Sequence, residues 1–150
     1  MLLTCCSTIL KIQSQPSSYS LSLELGGVGG LGSFNIDKKI YSKKQCQLLW
    51  RAGFSIAPID KNNGTTLVVP LLIHAQLGST KHKLDLGIGQ SFSITTKGNY
   101  FIMLPCSIGY LHAPSNKSTW FRLAYTPILS YLFDTQYQHW GGITLGYRIN

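Results

Sequence analysis

Apolar and polar residues alternate one by one along most of this chain, and no long window shows the 3.6-residue period of a helix. Neighbouring side chains of an extended strand point to opposite faces, so this rhythm predicts strands with two chemically different faces. Eight segments carry it: Tyr19 to Gly26, Leu31 to Ile40, Leu48 to Ala57, Thr65 to Leu77, Leu84 to Ile94, Tyr100 to Leu111, Thr119 to Phe133 and Gln138 to Asn150. In the fifth, Leu84, Leu86, Ile88, Phe92 and Ile94 stand against Asp85, Gly87, Gly89, Ser91 and Ser93. Val68 and Leu72 interrupt the polar face of the fourth. Residues rich in Gly, Asn, Asp and Pro separate the segments, at Gly27 to Gly30, Pro58 to Gly64, Thr95 to Asn99 and Ala113 to Ser118.

The segments are long. A globular strand has about 5–6 residues, whereas a strand that crosses a membrane needs about 9–11. No run of apolar residues is long enough for a transmembrane helix. The chain has 150 residues, enough for one domain, and eight long strands with short turns fill residues 16–150. An even strand number brings both ends of the chain to one side of the barrel. Residues 1–15, apolar and rich in small side chains, read as a secretory signal without its basic beginning or as a disordered tail.

Charge follows the same parity. Glu24, Asp37, Arg51, Asp85, Arg122 and Arg148 all fall on the Gly/Ser/Thr face. Lys38 has the apolar parity, but it stands at a strand end, where its stem can snorkel. Alternation by itself fits two structures. A soluble barrel would turn the apolar face inward, around an apolar ligand; a membrane barrel would turn it outward. Three features favour the second. The polar face is poor in Lys and Glu, in keeping with a charged fraction of only 12%. Its six charges are three cations and three carboxylates, suited to pairing as a salt-bridge network in a narrow lumen. Aromatic residues gather near the ends of the apolar faces, among them Tyr19, Tyr100, Tyr110, Tyr131, Phe133 and Tyr147, as in the girdles of membrane barrels. The expected fold is therefore all-β, a closed antiparallel up-and-down transmembrane barrel of about eight strands. Its interior would be filled by side chains, with no open pore. His74 has the lumen parity and is expected to join the network by hydrogen bonds.

The net charge is +8. The turns at 41–47, 78–83 and 113–118 lie at the same end of the barrel as the N-terminus, and Lys43, Lys44, Lys81, Lys83 and Lys117 fall in them. The excess positive charge thus collects at one rim, where it would attract anionic lipid headgroups or solvate the turns. No platform of basic and aromatic residues suggests nucleic acid. Ser130, Asp134 and His139 surround one outer loop, and a lipid-modifying enzyme would need such a hydroxyl, base and carboxylate. Their spacing matches no catalytic motif, and no enzyme, cofactor or metal site is expected. Outer loops of about 5–8 residues argue against a large receptor surface. Cys46 and Cys106 are far apart and read as unpaired.

Five short pieces carry a family resemblance. They are Leu23-Glu24-Leu25-Gly26-Gly27, Gly32-Ser33-Phe34-Asn35-Ile36-Asp37, Lys83-Leu84-Asp85-Leu86-Gly87-Ile88-Gly89, Phe121-Arg122-Leu123-Ala124-Tyr125-Thr126-Pro127 and Gly142-Ile143-Thr144-Leu145-Gly146-Tyr147-Arg148. In their order and spacing, over residues 18 to 150, the chain resembles the small outer-membrane β-barrel proteins of the Bacteroidetes type. The resemblance implies an eight-stranded closed barrel of the bacterial outer membrane, with periplasmic termini and no defined activity, and the chain is expected to be a monomer. Its partners would be membrane lipids and the barrel-insertion machinery. Ile149-Asn150 replaces the usual aromatic ending, so recognition by that machinery would rest on Tyr147 and Ile149.

Overall fold

The computed structural model describes residues 18–43, 45–60, 64–78, 81–130 and 136–149. The segment 1–15, read as a signal or tail, lies outside them. Eight strands follow in order: β1 (Tyr19–Gly26), β2 (Gly32–Lys43), β3 (Cys46–Asp60), β4 (Gly64–Leu77), β5 (His82–Thr95), β6 (Tyr100–His112), β7 (Thr119–Ser130) and β8 (Gln136–Ile149). Each pairs antiparallel with the next, and β1 also pairs with β8, from Tyr19 opposite Ile149 to Gly26 opposite Gly142. The sheet is a closed up-and-down barrel with no free edge.

The start of β1 and the end of β8 share one end of the barrel with the turns 44–45, 78–81 and 113–118; this is the terminal mouth. The strand ends joined by residues 27–31, 61–63, 96–99 and 131–135 lie at the opposite end. β3 continues through Pro58, which pairs with Thr65, so the turn expected from Pro58 to Gly64 shrinks to residues 61–63.

The faces are polar inside and apolar outside. Glu24, Asp37, Arg51, His74, Asp85 and Arg122 are each at most 4% exposed. Leu25, Phe34 and Leu145 are 70%, 69% and 64% exposed. The inverted arrangement, an apolar interior around a ligand, is thereby corrected: the period-2 pattern is obeyed, with the opposite face inward. The lumen is not wholly polar. Val68, Leu72, Leu49, Leu111, Trp120 and Ile128 have the inward parity and are buried. No helix among the described residues is long and apolar enough to cross a membrane, which has no bearing on a barrel that crosses with strands.

Two irregularities shape the interior. The β2–β3 register shifts between Lys39 and Tyr41, a bulge that leaves Ile40 without a partner and exposed while Lys39 is half-buried. At the opposite end, residues 27–29 do not stand out as a hairpin tip. They form a short 3-10 turn folded into the lumen, with Gly27, Val28 and Gly29 all buried. Gly27 adopts φ +77°, and a Cβ there would strike the Glu24 carboxylate, so only glycine lets the loop enter so deeply. The Ser55 hydroxyl holds the loop, lying 2.6 Å from the Gly29 carbonyl and 2.5 Å from that of Gly32.

Candidate functional site

The interior carries two arrangements of charge. The first is a belt across the middle of the lumen. β2 and β3 are in register at Asp37 and Arg51, so their inward side chains meet across the strand pair. Arg51 donates from Nε to Asp37 at 2.5 Å and from Nη2 at 3.1 Å, and its Nη1 lies 3.6 Å from Glu24. From the far wall, Arg122 donates from Nη2 to Glu24 at 3.3 Å, from Nη1 to Asp85 at 2.9 Å and from Nε to the Thr144 hydroxyl at 3.3 Å. Glu24 therefore bridges the two arginines. Bonds of this kind span the lumen from β1 to β3, β5 and β7, tying together walls that the sheet connects only around the circumference.

His74 joins the belt. Its Nδ1 is 3.1 and 3.2 Å from the two Asp85 oxygens and 3.2 Å from Arg122 Nη1. One ring nitrogen cannot serve both: protonated it donates to Asp85, unprotonated it accepts from Arg122. Three further members went unnoticed in the sequence. Asn35 donates to Glu24 at 3.5 Å and to Ser33 at 3.0 Å, Ser20 donates to Asp37 at 3.4 Å, and Thr144 accepts from Arg122. Their inward parity beside a charged neighbour was the available signal.

Arg148 corrects the expectation of a six-membered network. It has the inward parity, but it lies at the terminal mouth, where no carboxylate is within ion-pair distance among the described residues. Its guanidinium donates to the backbone carbonyls of Ala113, Pro114 and Lys117 at 3.1 to 3.2 Å and pins the 113–118 turn. The belt is thus two arginines against three carboxylates with His74 among them, and not three against three.

The second arrangement is at that mouth. A cavity of about 690 Å³ opens there, lined by Lys39, Lys43, Lys83, Lys117 and Arg148. Leu49, Leu111 and Trp120 lie deeper. The indole of Trp120 covers Gly146, where a Cβ would collide with the ring. Lys83 donates to Gln47 Oε1 at 2.8 Å.

Outside, aromatic and histidine rings cluster at both ends. Near the terminal mouth, His82, Tyr110, His112 and Phe121 form a chain of ring contacts, with centroids 5.0 to 6.1 Å apart. Lys38 lies over the Tyr19 ring at 5.4 Å, so its charge rests on an aromatic face beside the rim. At the other end Tyr125, Tyr137 and His139 form a second cluster. His139 is exposed there and hydrogen-bonded to the Tyr125 hydroxyl. Asp134 and the side chain of Ser130 lie outside the described residues. Cys46 and Cys106 are separate free thiols.

No protein-family model matches the sequence, and no curated protein matches it. Among solved structures, the chain is similar to the N-terminal β-barrel domain of Pseudomonas aeruginosa OprF. The TM-score is 0.57 and the identity 11%, over 88% of this chain and 97% of that one. At that identity the likeness concerns the fold, a small closed barrel.

Proposed function

We propose that this chain is a monomeric integral barrel of the bacterial outer membrane, with a structural or surface-contact role and no catalytic activity. One observation carries the proposal: the outer wall is a continuous band of large apolar side chains, while every charge in the body of the barrel except Lys38, which lies on the Tyr19 ring, points inward. Water-soluble monomers rarely expose an apolar patch beyond a few hundred Å². A lipid exterior reverses that constraint, and the aromatic clusters at both ends suit its two interfaces. The order of the short glycine-rich pieces supports a place beside the small Bacteroidetes-type barrels, with lipids and the insertion machinery as partners.

The lumen is occluded. Belt side chains fill its middle, and the inward loop at Gly27–Gly29 covers it from the opposite end. The protein accordingly works as an anchored surface and does not pass solutes.

The test is expression in a Gram-negative host behind a signal peptide, then membrane fractionation and detergent gels with and without boiling. A band in the outer-membrane fraction that migrates faster unboiled is the expected result. A soluble protein with no mobility shift would overturn the proposal. Conductance in a planar bilayer should stay at background; steady channel currents would refute the occluded lumen.

A further inference from the structure

We infer that the terminal mouth of the barrel is a binding site for a small phosphate-bearing anion. The cavity of about 690 Å³ falls within the roughly 300–1,000 Å³ usual for small-molecule sites. Among the described residues five basic side chains line it, and the one carboxylate in the lining, Asp37, is already engaged by two bonds from Arg51. The turns 41–47, 78–83 and 113–118 contain no Asp or Glu, and neither does the segment 1–17. Among the described residues no other acidic side chain lines the cavity, and Asp85, two residues along from Lys83, is engaged by Arg122 and His74.

Two of the cations are held in place. Arg148 is fixed on three backbone carbonyls and Lys83 on Gln47. Lys39, Lys83 and Arg148 are half-buried, and both lysines are close enough to Arg148 to be repelled by it. Like charges gathered in a partly dry concavity raise the free energy of the empty site, and an anion lowers it. A phosphate group carries about −1.5 to −2 charges and three acceptor oxygens, which matches two lysines and an arginine around one space. The bulge after Lys39 contributes directly, because it closes the β2 ladder irregularly at the position where Lys39 enters the lumen. The phosphate could belong to a soluble phosphate ester or to a phospholipid headgroup reaching over the rim. The inference rests on the interior and not on what surrounds the wall.

Trp120 supplies the readout. With Trp50 and Trp140 replaced by Phe, it is the sole tryptophan, and it lines the cavity. The protein, folded in uncharged detergent micelles, is titrated with inorganic pyrophosphate at constant ionic strength set by sodium chloride. A saturable one-site change in Trp120 fluorescence is expected, weakened about tenfold or more in Lys39→Gln/Lys83→Gln. Lys97→Gln, at the opposite end, should leave it unchanged. A second arm adds phosphatidylglycerol to the micelles. A saturable response to this lipid alone, again lost in the double variant, assigns the same site to a headgroup. No saturable response to either probe, or an equal response in the double variant, overturns the inference. Mobility on unboiled gels verifies folding of each variant; if the double variant fails it, Lys39→Gln and Lys83→Gln are titrated singly. Failure of membrane fractionation would strike the outer-membrane proposal alone, and failure of the titration would strike only this site.

Discussion

Arg122 and Arg148 lie on neighbouring strands, β7 and β8, and both have the inward parity, yet they do different work. Arg122 is 1% exposed and touches two carboxylates, a histidine and a threonine. Arg148 is half-buried at the mouth and touches only backbone carbonyls. Parity decides which face a charge enters; depth along the strand decides what it must meet there. In the middle of the lumen water is scarce and an unpaired charge is expensive, so cation and carboxylate are matched. At the mouth water remains within reach, so several cations can share a space without a carboxylate paired to each.

The sharpest way to break this contrast is Arg122→Leu. It leaves Glu24 and Asp85 buried with one partner fewer each, and the expected loss is about 3–5 kcal/mol of unfolding free energy in detergent or lipid. The outer wall is untouched, so the protein should still partition with membranes. Urea unfolding monitored by gel mobility checks this, and an unchanged midpoint would refute the belt's role.

How much of this contrast was legible in the sequence follows from its causes. Period-2 alternation is local, so β1 could be read to its final residue, and Glu24, Asp37, Arg51, Asp85 and Arg122 could be assigned to one face. His74 was legible for the same reason. Three-dimensional depth is not local. Arg148 looked equivalent to Arg122 because parity cannot reveal that the β8 end faces a mouth whose carboxylate, Asp37, is already taken by Arg51. The inward fold of Gly27–Gly29 was equally hidden, because a run of glycines permits many turns, and its path depends on the space left by the belt and by Ser55 from β3. The bulge after Lys39 left no mark either, since one unpaired residue in a long strand alters no composition.

The two ends of the lumen extend the comparison: one is covered by its own backbone, the other is open. Gly27→Ala should damage the covered end. A left-handed residue with a Cβ costs about 1–2 kcal/mol, and the collision with Glu24 brings the expected loss to about 2–3 kcal/mol. Gly98→Ala separates the two causes. Gly98 also has positive φ, +84°, but nothing stands within 4 Å of its would-be Cβ. It should lose about 1 kcal/mol, the strain alone. Equal losses at the two positions would mean that the loop does not press on the belt.

Arg148→Leu should cost less than either interior change, about 1 kcal/mol. Its hydrogen bonds are charge-assisted, and it leaves two carbonyls on the buried Ala113 and Pro114 and one on the exposed Lys117, all beside the open mouth, where water can take its place. Equilibrium unfolding beside Arg122→Leu gives the ratio directly. A loss as large as that of Arg122 would place Arg148 in the energetic core after all.

The smallest effect distinguishes the two regions most cleanly, because salt acts on one and not the other. Raising sodium chloride from about 0.01 M to about 0.15 M shortens the Debye length from about 30 Å to about 8 Å. The cations of the mouth repel one another across water that ions can enter, so screening should stabilise the barrel by a few tenths of a kcal/mol. The belt is shielded from ions by its own burial and should contribute almost nothing to that slope. Lys39→Gln/Lys83→Gln should then be slightly more stable than the parent at low salt and nearly insensitive to salt. Arg51→Leu, whatever it costs, should retain the parent's slope. If instead the slope followed Arg51 and ignored the lysines, the mismatch of charge would lie in the belt, with its three carboxylates against two arginines, and the mouth would be an ordinary solvated rim.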